Sequence, residues 1–228
     1  VTILLAIAAC TPAAQPTDAL TTETATASLA PVASETAALS LVATSAPAPG
    51  IVNVGQASCR VGPGGAYLLH SILHEGDAVE IVGVMELNEN WILVHVVAQN
   101  GAGCWINTQL IDFAEGSTFN VINDPHIVLP ISDYYSPLRG VAARRNGDVV
   151  TVRWDPLVLR DGDDSEQTPY LVEAWVCQNG EFVFRTFGAE GYSVKIIDED
   201  SCSERSHARV AGAEKNGYTS WATVPWPG

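Results

Sequence analysis

The sequence predicts an all-β chain in which a small barrel is followed by a seven-stranded β-sandwich, with an apolar leader and a disordered tether in front. Three observations predict this. Residues 51–113 consist of short apolar runs separated by turn residues, as in small all-β domains. Residues 137–228 contain longer runs in which apolar and polar residues alternate, the pattern of half-buried strands. The first 50 residues have neither pattern.

The leader is the apolar run Val1 to Ala9, which stops at Cys10. Eight of these nine residues are apolar; the run is too short to cross about 30 Å of hydrocarbon, but it suits the core of a signal peptide. The ending Ile7-Ala8-Ala9-Cys10 resembles the lipobox of bacterial lipoproteins. That resemblance implies that residues 1–9 are removed and that Cys10 carries a lipid, so that the chain is extracytoplasmic and membrane-anchored at the cell envelope. The alternative is a frayed apolar terminus with a free thiol.

Residues 10–50 are expected to be a lipid-anchored, disordered linker. In residues 11–50, 29 of the 40 residues are Ala, Thr, Ser or Pro, and none is Lys, Arg or aromatic. Such a segment has little apolar surface to bury and does not recover the entropy lost on ordering.

The charge balance excludes one class of function. The formal net charge is −15, and Arg60 is the one basic residue between Val1 and Phe113. A chain this acidic is repelled by phosphate backbones and by anionic lipid surfaces. We therefore expect no nucleic-acid partner, and we expect contact with the membrane to come from the N-terminal lipid.

The five cysteines indicate export. Setting Cys10 aside leaves four, which allow three pairings. Because two fall in each candidate domain, we predict the disulfides Cys59–Cys104 and Cys177–Cys202, which are typical of small exported β domains. A zinc site is the competing interpretation, but the sequence has no Cys-x-x-Cys and no His at ligand spacing from a Cys. No metal and no cofactor are expected.

The first domain is predicted over residues 51–113. Turn residues separate its strands, and Asn100-Gly101 is a strong hairpin signal. Strands this short bury their apolar faces best by curling into a barrel. The predicted strands are residues 51–54, 67–73, 78–85, 91–97 and 104–106.

Ordered short motifs in this segment resemble the bacterial SH3 (SH3b) family. They are Cys59-Arg60-Val61-Gly62-Pro63-Gly64, Tyr67, Gly76-Asp77, Asn90-Trp91, Gly103-Cys104-Trp105-Ile106 and Leu110. The two cysteines depart from the family pattern, and Cys104 splits its usual Gly-Trp pair. The resemblance implies an SH3-like barrel that binds cell-wall peptide or glycan and does not catalyse.

Tyr67, Trp91 and Trp105 are the candidate ligand-binding residues of this domain, since exposed aromatic side chains anchor ligands in shallow grooves. The alternative is that these rings fill the barrel interior, and for Trp91 and Trp105 this alternative is favoured. The possible partner is peptidoglycan or a cell-wall peptide.

The second domain is predicted over residues 137–228, after a linker at residues 114–136. Asn179-Gly180 and Asn216-Gly217 mark hairpin turns. Seven short alternating strands in about 100 residues are typical of a two-sheet sandwich. These strands are residues 140–145, 150–154, 169–177, 182–187, 192–197, 207–213 and 218–224.

Two segments of this domain resemble the fibronectin type III family. Residues 150–156, Val-Thr-Val-Arg-Trp-Asp-Pro, are similar to its second strand, in which Trp fills the space between the sheets. Residues 209–222 are similar to its last two strands. The second cysteine pair and the acidic loop at residues 155–168 depart from the pattern, so a generic immunoglobulin-like sandwich remains open. The resemblance implies spacing or adhesion.

No catalytic set stands out in the sequence. The five histidines are scattered, and no Ser lies in a Gly-x-Ser-x-Gly elbow. The acidic residues Asp161, Asp163 and Asp164 offer oxygen ligands for calcium, but the EF-hand register is missing and a solvated loop is favoured.

The expected function is therefore a non-catalytic extracytoplasmic lipoprotein that binds cell-wall peptide or glycan through its barrel and uses the sandwich as a spacer or for adhesion. Two alternatives remain. One is a structural stalk or adhesin without a ligand groove, and the other is an accessory part of a cell-wall hydrolase system.

Overall fold

Antiparallel β-strands make up the regular structure, as the alternating apolar residues predict. The computed structural model describes residues 47–100, 102–165 and 167–228. Apart from two single-turn 3-10 helices, every regular element in these residues is a strand. The all-β prediction is confirmed. The predicted signal peptide, the lipid-attachment residue Cys10 and most of the predicted tether lie outside the described residues.

The first half of the described chain folds into one curled sheet. The strands are β1 (Ala48–Val52), β2 (Gln56–Arg60), β3 (Leu69–His74), β4 (Ala78–Met85), β5 (Trp91–Val96), β6 (Ala102–Asn107), β7 (Ile111–Phe113) and β8 (Asn120–Ile122). Their order in the sheet is β3-β2-β6-β5-β4-β1-β7, and β8 adds to β4 in parallel.

The core of this curled sheet, called the barrel below, forms from strand residues that are buried at every second position. In β4 every second residue, from Val79 through Met85, is buried, while Glu80 points to solvent. The disulfide Cys59–Cys104 joins β2 to β6 in this core, with its Cα atoms 5.5 Å apart. The side chains packed around it come from five other strands, so the bridge lies at the centre of the first half.

Four parts of this sheet differ from the sequence expectation. Strand β7, at residues 111–113, was not predicted and pairs with β1. Strand β1 begins at Ala48, inside the segment expected to be tether. Strand β2 was not predicted, because Gln-Ala-Ser-Cys-Arg has weak strand propensity and forms a strand only through its pairing with β3 and β6. Strand β8 lies in the segment expected to be a linker, where it extends the sheet beside β4.

The second half forms two sheets that face each other. The strands are β9 (Ala142–Asn146), β10 (Val149–Arg153), β11 (Tyr170–Gln178), β12 (Glu181–Ala189), β13 (Ser193–Ile197), β14 (His207–Glu214), β15 (Gly217–Tyr218) and β16 (Ala222–Thr223). One sheet has the order β13-β10-β9; the other has the order β12-β11-β14-β15, and β16 also pairs with β14.

The core between these two sheets contains the residues that the sequence places there. Trp154 is 4% exposed and packs with Val152 and Tyr170 between the sheets, the position that the family resemblance implies for this Trp. The Asn179-Gly180 turn has positive φ at both residues, as a primed hairpin requires. The disulfide Cys177–Cys202 is present, with its Cα atoms 5.7 Å apart. Both predicted disulfides are confirmed.

The outer face of the larger sheet is not exposed to solvent, because the barrel covers it. Leu171, Phe184 and Ala211 point away from the sandwich core and are each 0% exposed. Barrel residues meet them in two apolar clusters, one around Tyr67 and the other around Trp105. The barrel and the sandwich therefore share a continuous packed interface.

Candidate functional site at the barrel–sandwich junction

The three aromatic residues proposed as ligand contacts lie in different environments. Tyr67 is 1% exposed and Trp105 is 0% exposed, both against the sandwich, whereas Trp91 is half-buried. Trp105 is buried, but outside the barrel interior that the sequence favoured for it, since its ring packs beside Phe184 of the sandwich. In this structure the sandwich covers both Tyr67 and Trp105, so neither ring is open to a ligand, and a ligand-binding role for the three aromatic residues stays a prediction.

Local glycines let the Tyr67 ring reach the sandwich. A Cβ on Gly62 would lie 2.2 Å from this ring, so only glycine leaves room for it there. The Arg60 guanidinium donates to the Tyr67 backbone carbonyl at 2.6 Å and fixes the loop. The Gly-Pro turn that resembles the bacterial SH3 motif thus supports an internal contact.

A buried carboxylate forms the centre of the junction. Glu173 lies on the barrel-facing side of β11 and is 0% exposed. Its Oε1 accepts the hydroxyl of Tyr67 and lies 2.7 Å from His126 Nε2, and its Oε2 accepts Arg209 Nε at 2.6 Å. A buried charge needs such partners, since an unpaired one costs several kcal/mol.

Tyr67 is held in its neutral form by these surroundings. Burial raises the pKa of Tyr67 well above its ordinary value, and the neighbouring Glu173 charge raises that pKa further. A second tyrosine, Tyr218, lies edge-on to Tyr67 at 6.4 Å and accepts the Leu68 N–H at 2.8 Å. Burial also raises the pKa of Tyr218. Both phenols act as hydrogen-bonding groups and not as acids at neutral pH.

Arg209 connects this carboxylate to an aromatic surface. Its guanidinium lies 5.1 Å from the centre of the Trp175 ring and 4.8 Å from that of Trp221. His126 stacks on Trp221 at 5.0 Å, and His207 stacks on Trp175 at 4.7 Å. A contact between a cation and an aromatic ring, such as those of Arg209 with Trp175 and Trp221, contributes about 0.5–2 kcal/mol.

A cavity of about 420 Å³ opens beside this cluster. Trp175, His207 and Arg209 line it on the sandwich side, and the segment from Asn123 to His126 lines it on the other. Arg209 already pairs with Glu173, and Asp124 adds an exposed carboxylate to the lining, so the cavity combines the Trp175 ring with polar and charged side chains.

Sequence reasoning missed Glu173, His126 and Arg209, although β11 contains a signal. The outward positions of a solvent-facing strand are normally polar. Here they read Leu171, Glu173 and Trp175, two large apolar residues around one carboxylate, which indicates a face covered by another part of the chain.

A second polar centre closes the far end of the sandwich. Asp198 is buried, and its carboxylate accepts hydrogen bonds from the Cys177 backbone at 3.0 Å, from Ser206 at 2.5 Å and from Trp226 at 2.9 Å. Arg145 also donates to it. Burial raises the pKa of Asp198, but these donors outweigh burial and leave the pKa below its usual value. A cavity of about 620 Å³ lies next to this centre.

The acidic loop that could offer calcium ligands is tied to its neighbours. Asp163 pairs with Lys215 and accepts the Tyr135 hydroxyl at 2.5 Å. The hydrogen bond from Lys215 lowers the pKa of Asp163. Asp161 and Asp164 are exposed. Across residues 47–100, 102–165 and 167–228, no three His, Cys, Asp or Glu side chains are grouped so as to hold a metal ion.

The described part of the chain also has no helix with the length and apolar character needed to cross a membrane. Its two disulfides are typical of oxidising, extracytoplasmic compartments.

Comparison with known proteins assigns no family to this chain. No family model matches the chain, and no curated protein matches it. Among solved structures, the crystal structure of the chicken CNTN1 FN1-FN3 domains is similar, with 13% identity and a TM-score of 0.29. The match covers 76% of this chain and 55% of that one, so this chain spans about half of that structure's length. A match this distant has no bearing on function.

Proposed function

We propose that this chain is a non-catalytic, extracytoplasmic module of the cell envelope in which the barrel and the sandwich act as one rigid spacer. The observation that carries the proposal is the use of Tyr67. Tyr67, which the sequence offers as a groove residue of the barrel, donates its hydroxyl hydrogen to Glu173 of the sandwich, and the surface around it is buried. This supports the stalk alternative over a barrel that binds cell-wall ligands through Tyr67.

Rigidity follows from the kind of interface. Two domains joined by a flexible linker move relative to each other unless a large apolar contact holds them. Here Phe184 and Trp105 are each 0% exposed within that contact, and Gly64 approaches Thr186 so closely that a Cβ would lie 2.1 Å from its hydroxyl. A spacer of fixed geometry needs contacts of this kind.

The proposal includes membrane anchoring through a lipid on Cys10, which lies outside the described residues. Its support is the resemblance of the leader to a lipobox and the pairing of the other four cysteines with one another. The intact mass of the protein purified from its native membrane tests this point. A mass that includes acyl chains and lacks residues 1–9 supports anchoring, and an unmodified leader contradicts it.

Calorimetry of the full chain tests the rigid unit. We expect one unfolding transition whose calorimetric and van't Hoff enthalpies agree, because neither half keeps its junction core without the other. Two separate transitions would show that the barrel and the sandwich are independent and would overturn the proposal.

A capture experiment on purified peptidoglycan separates the spacer from a ligand-binding barrel. Trp91 is the candidate aromatic residue that stays partly exposed, so Trp91→Ala is the informative variant. For a spacer we expect peptidoglycan to retain the wild-type protein and Trp91→Ala equally or not at all. Retention that is lost in Trp91→Ala would establish the binding function in place of the spacer.

A further inference from the structure

The outer face of the smaller sandwich sheet concentrates positive charge. Arg144 on β9, Arg153 on β10 and Lys195 on β13 all point away from the core and are exposed. They are three of the eleven Lys and Arg residues in a chain of net charge −15. This small face is therefore positively charged, although the molecule as a whole is strongly negative.

The strand register fixes how these cations are arranged. Thr151 of β10 pairs with Arg144 on one side and with Lys195 on the other. Because neighbouring strands lie about 4.8 Å apart, the Cα atoms of Arg144 and Lys195 are about 10 Å apart in a row across the sheet. Arg153 lies two residues further along β10 on the same face.

These cations are free to meet a ligand. In residues 47–100, 102–165 and 167–228, Arg144, Arg153 and Lys195 take part in no ion pair, whereas Arg145, Arg209 and Lys215 do. The face between the three cations carries no carboxylate: the other positions on it are Ala142, Asn146, Val149, Thr151, Ser193 and Ile197.

A cavity of about 390 Å³ adjoins Arg153. Tyr192, which is 52% exposed, forms one wall, and Thr151 and Ser193 bring hydroxyl groups to it. The Tyr192 ring is held edge-on against Tyr170 at 5.9 Å. An aromatic face, two hydroxyls and a guanidinium suit a sugar ring that carries a carboxylate, because Arg binds carboxylates in a bidentate manner.

Carboxylates at the edges of this face favour a narrow ligand, such as a single polymer chain, over a flat anionic surface. Asp148 precedes β10 and Asp155 follows it, while Glu190 and Asp200 lie beyond the two ends of β13. A flat anionic membrane pressed on this face would also meet these carboxylates. A chain that crosses the strands along the row from Arg144 to Lys195 passes between them.

We propose that this face, here called the basic face and defined by Arg144, Arg153 and Lys195 with Tyr192 at its margin, binds an acidic polysaccharide. The polymer lies across the strands, its carboxylates pair with the three cations, and one of its sugar rings contacts Tyr192. This function is separate from the rigid spacer, which depends on the opposite sheet of the sandwich.

The test is titration of the full-length protein with an oligogalacturonate, a polymer of uronic acids, at low and at physiological salt. We expect binding that weakens as salt rises, since exposed charges are screened within about 8–10 Å. Each single change to Gln should weaken binding about twofold, and the triple variant Arg144→Gln/Arg153→Gln/Lys195→Gln about tenfold. Tyr192→Ala should weaken binding and leave its salt dependence unchanged.

Two exposed arginines elsewhere give a control for the loss of positive charge as such. Arg160→Gln/Arg205→Gln lowers the net charge in the same direction and should bind like the wild-type protein. A neutral glucan oligomer of equal length should not bind, and vesicles of anionic phospholipid should bind more weakly than the uronate. Thermal unfolding of each variant confirms that it is folded, as expected for exposed side chains.

The proposal is overturned by any of four results: no binding of the uronate by the wild-type protein, equal binding by the triple variant, an equal loss in the control variant, or tighter binding to the vesicles. The spacer proposal depends on a single unfolding transition, so either proposal can fail alone.

Discussion

Tyr67 of the barrel donates its hydroxyl hydrogen to Glu173 of the sandwich, 106 residues later in the chain. Glu173 also binds His126, from the segment between the two, and Arg209. One carboxylate thus joins three parts of the chain that the sequence pattern had separated.

Removal of the Tyr67 hydroxyl is expected to destabilise the protein. Tyr67→Phe keeps the ring in place but leaves the buried Glu173 with one donor fewer, so the free energy of unfolding should fall by about 1–3 kcal/mol. Urea unfolding measures this change. Tyr192→Phe, at an exposed site, is the control and should change the free energy by less than about 0.5 kcal/mol. Equal losses in both variants would contradict the role of the Tyr67–Glu173 contact.

Two neighbouring glycines give a sharper test of the interface. In Gly64→Ala the new methyl would lie 2.1 Å from the Thr186 hydroxyl oxygen, whereas Gly65→Ala meets nothing within 4 Å. Overpacking of this kind costs about 1–3 kcal/mol. We expect Gly64→Ala to lower the unfolding midpoint and to speed proteolysis of residues 114–136, and Gly65→Ala to do neither. Matching behaviour of the two variants would mean that the barrel does not pack closely against Thr186.

Reduction of the disulfides should destabilise both halves. The Cys59–Cys104 bridge spans 45 residues and the Cys177–Cys202 bridge spans 25. Loop-closure entropy gives about 4 kcal/mol for the first and about 3.5 kcal/mol for the second. Paired Cys→Ser variants and calorimetry measure each contribution. A protein purified from its native compartment with all cysteines reactive to a thiol reagent would contradict both bridges.

Stability should depend on pH through Asp198. Its folded pKa lies below its ordinary value, because four donors outweigh the effect of burial. The unfolded chain binds a proton near pH 3.9, and the folded protein binds it only at lower pH. The stabilisation from Asp198 is therefore complete above about pH 4 and is lost as the pH falls through the folded pKa. Urea unfolding at several acidic pH values measures this loss.

Asp198→Asn provides the comparison for this pH dependence. The variant lacks the carboxylate that pairs with Arg145, so it should be less stable near neutral pH and should lose less stability on acidification. If wild type and Asp198→Asn lose equal free energy between pH 6 and about pH 3, other carboxylates account for the acid sensitivity.

The success of the sequence predictions differs between strands for a physical reason. Strand β4 was predicted with its observed bounds, because the mostly apolar run from Ala78 to Met85 is bounded by turn residues on both sides and is therefore a local signal. Strand β2 was missed because Gln56–Arg60 becomes a strand only between two partners. Strand β8 was treated as linker for the same reason. Its three residues form a strand because β1 pairs with β4 only as far as Ile81 and leaves Gly83–Met85 open to β8 on that side.

The candidate site was harder to predict than the fold. An aromatic residue near a glycine-rich turn gives the same sequence pattern whether its ring faces a ligand or a second domain. The contact with Glu173 determines that Tyr67 faces the sandwich, and no sequence pattern indicates a contact between residues so far apart. The basic face was hidden in a similar way, since Arg144, Arg153 and Lys195 are dispersed in an acidic sequence and meet only through the pairing of β9, β10 and β13.

The sequence by itself determined the local features of this protein: the all-β class, most strands, the Asn179-Gly180 turn and the two cysteine pairs. Each depends on residue spacing or turn chemistry within a few positions, or on the count of cysteines in each half. Only the tertiary structure decided that the barrel covers the outer face of the larger sandwich sheet and buries Tyr67. Such a contact depends on the match of two surfaces formed by distant segments, and burial of their apolar side chains becomes favourable only after both surfaces have formed.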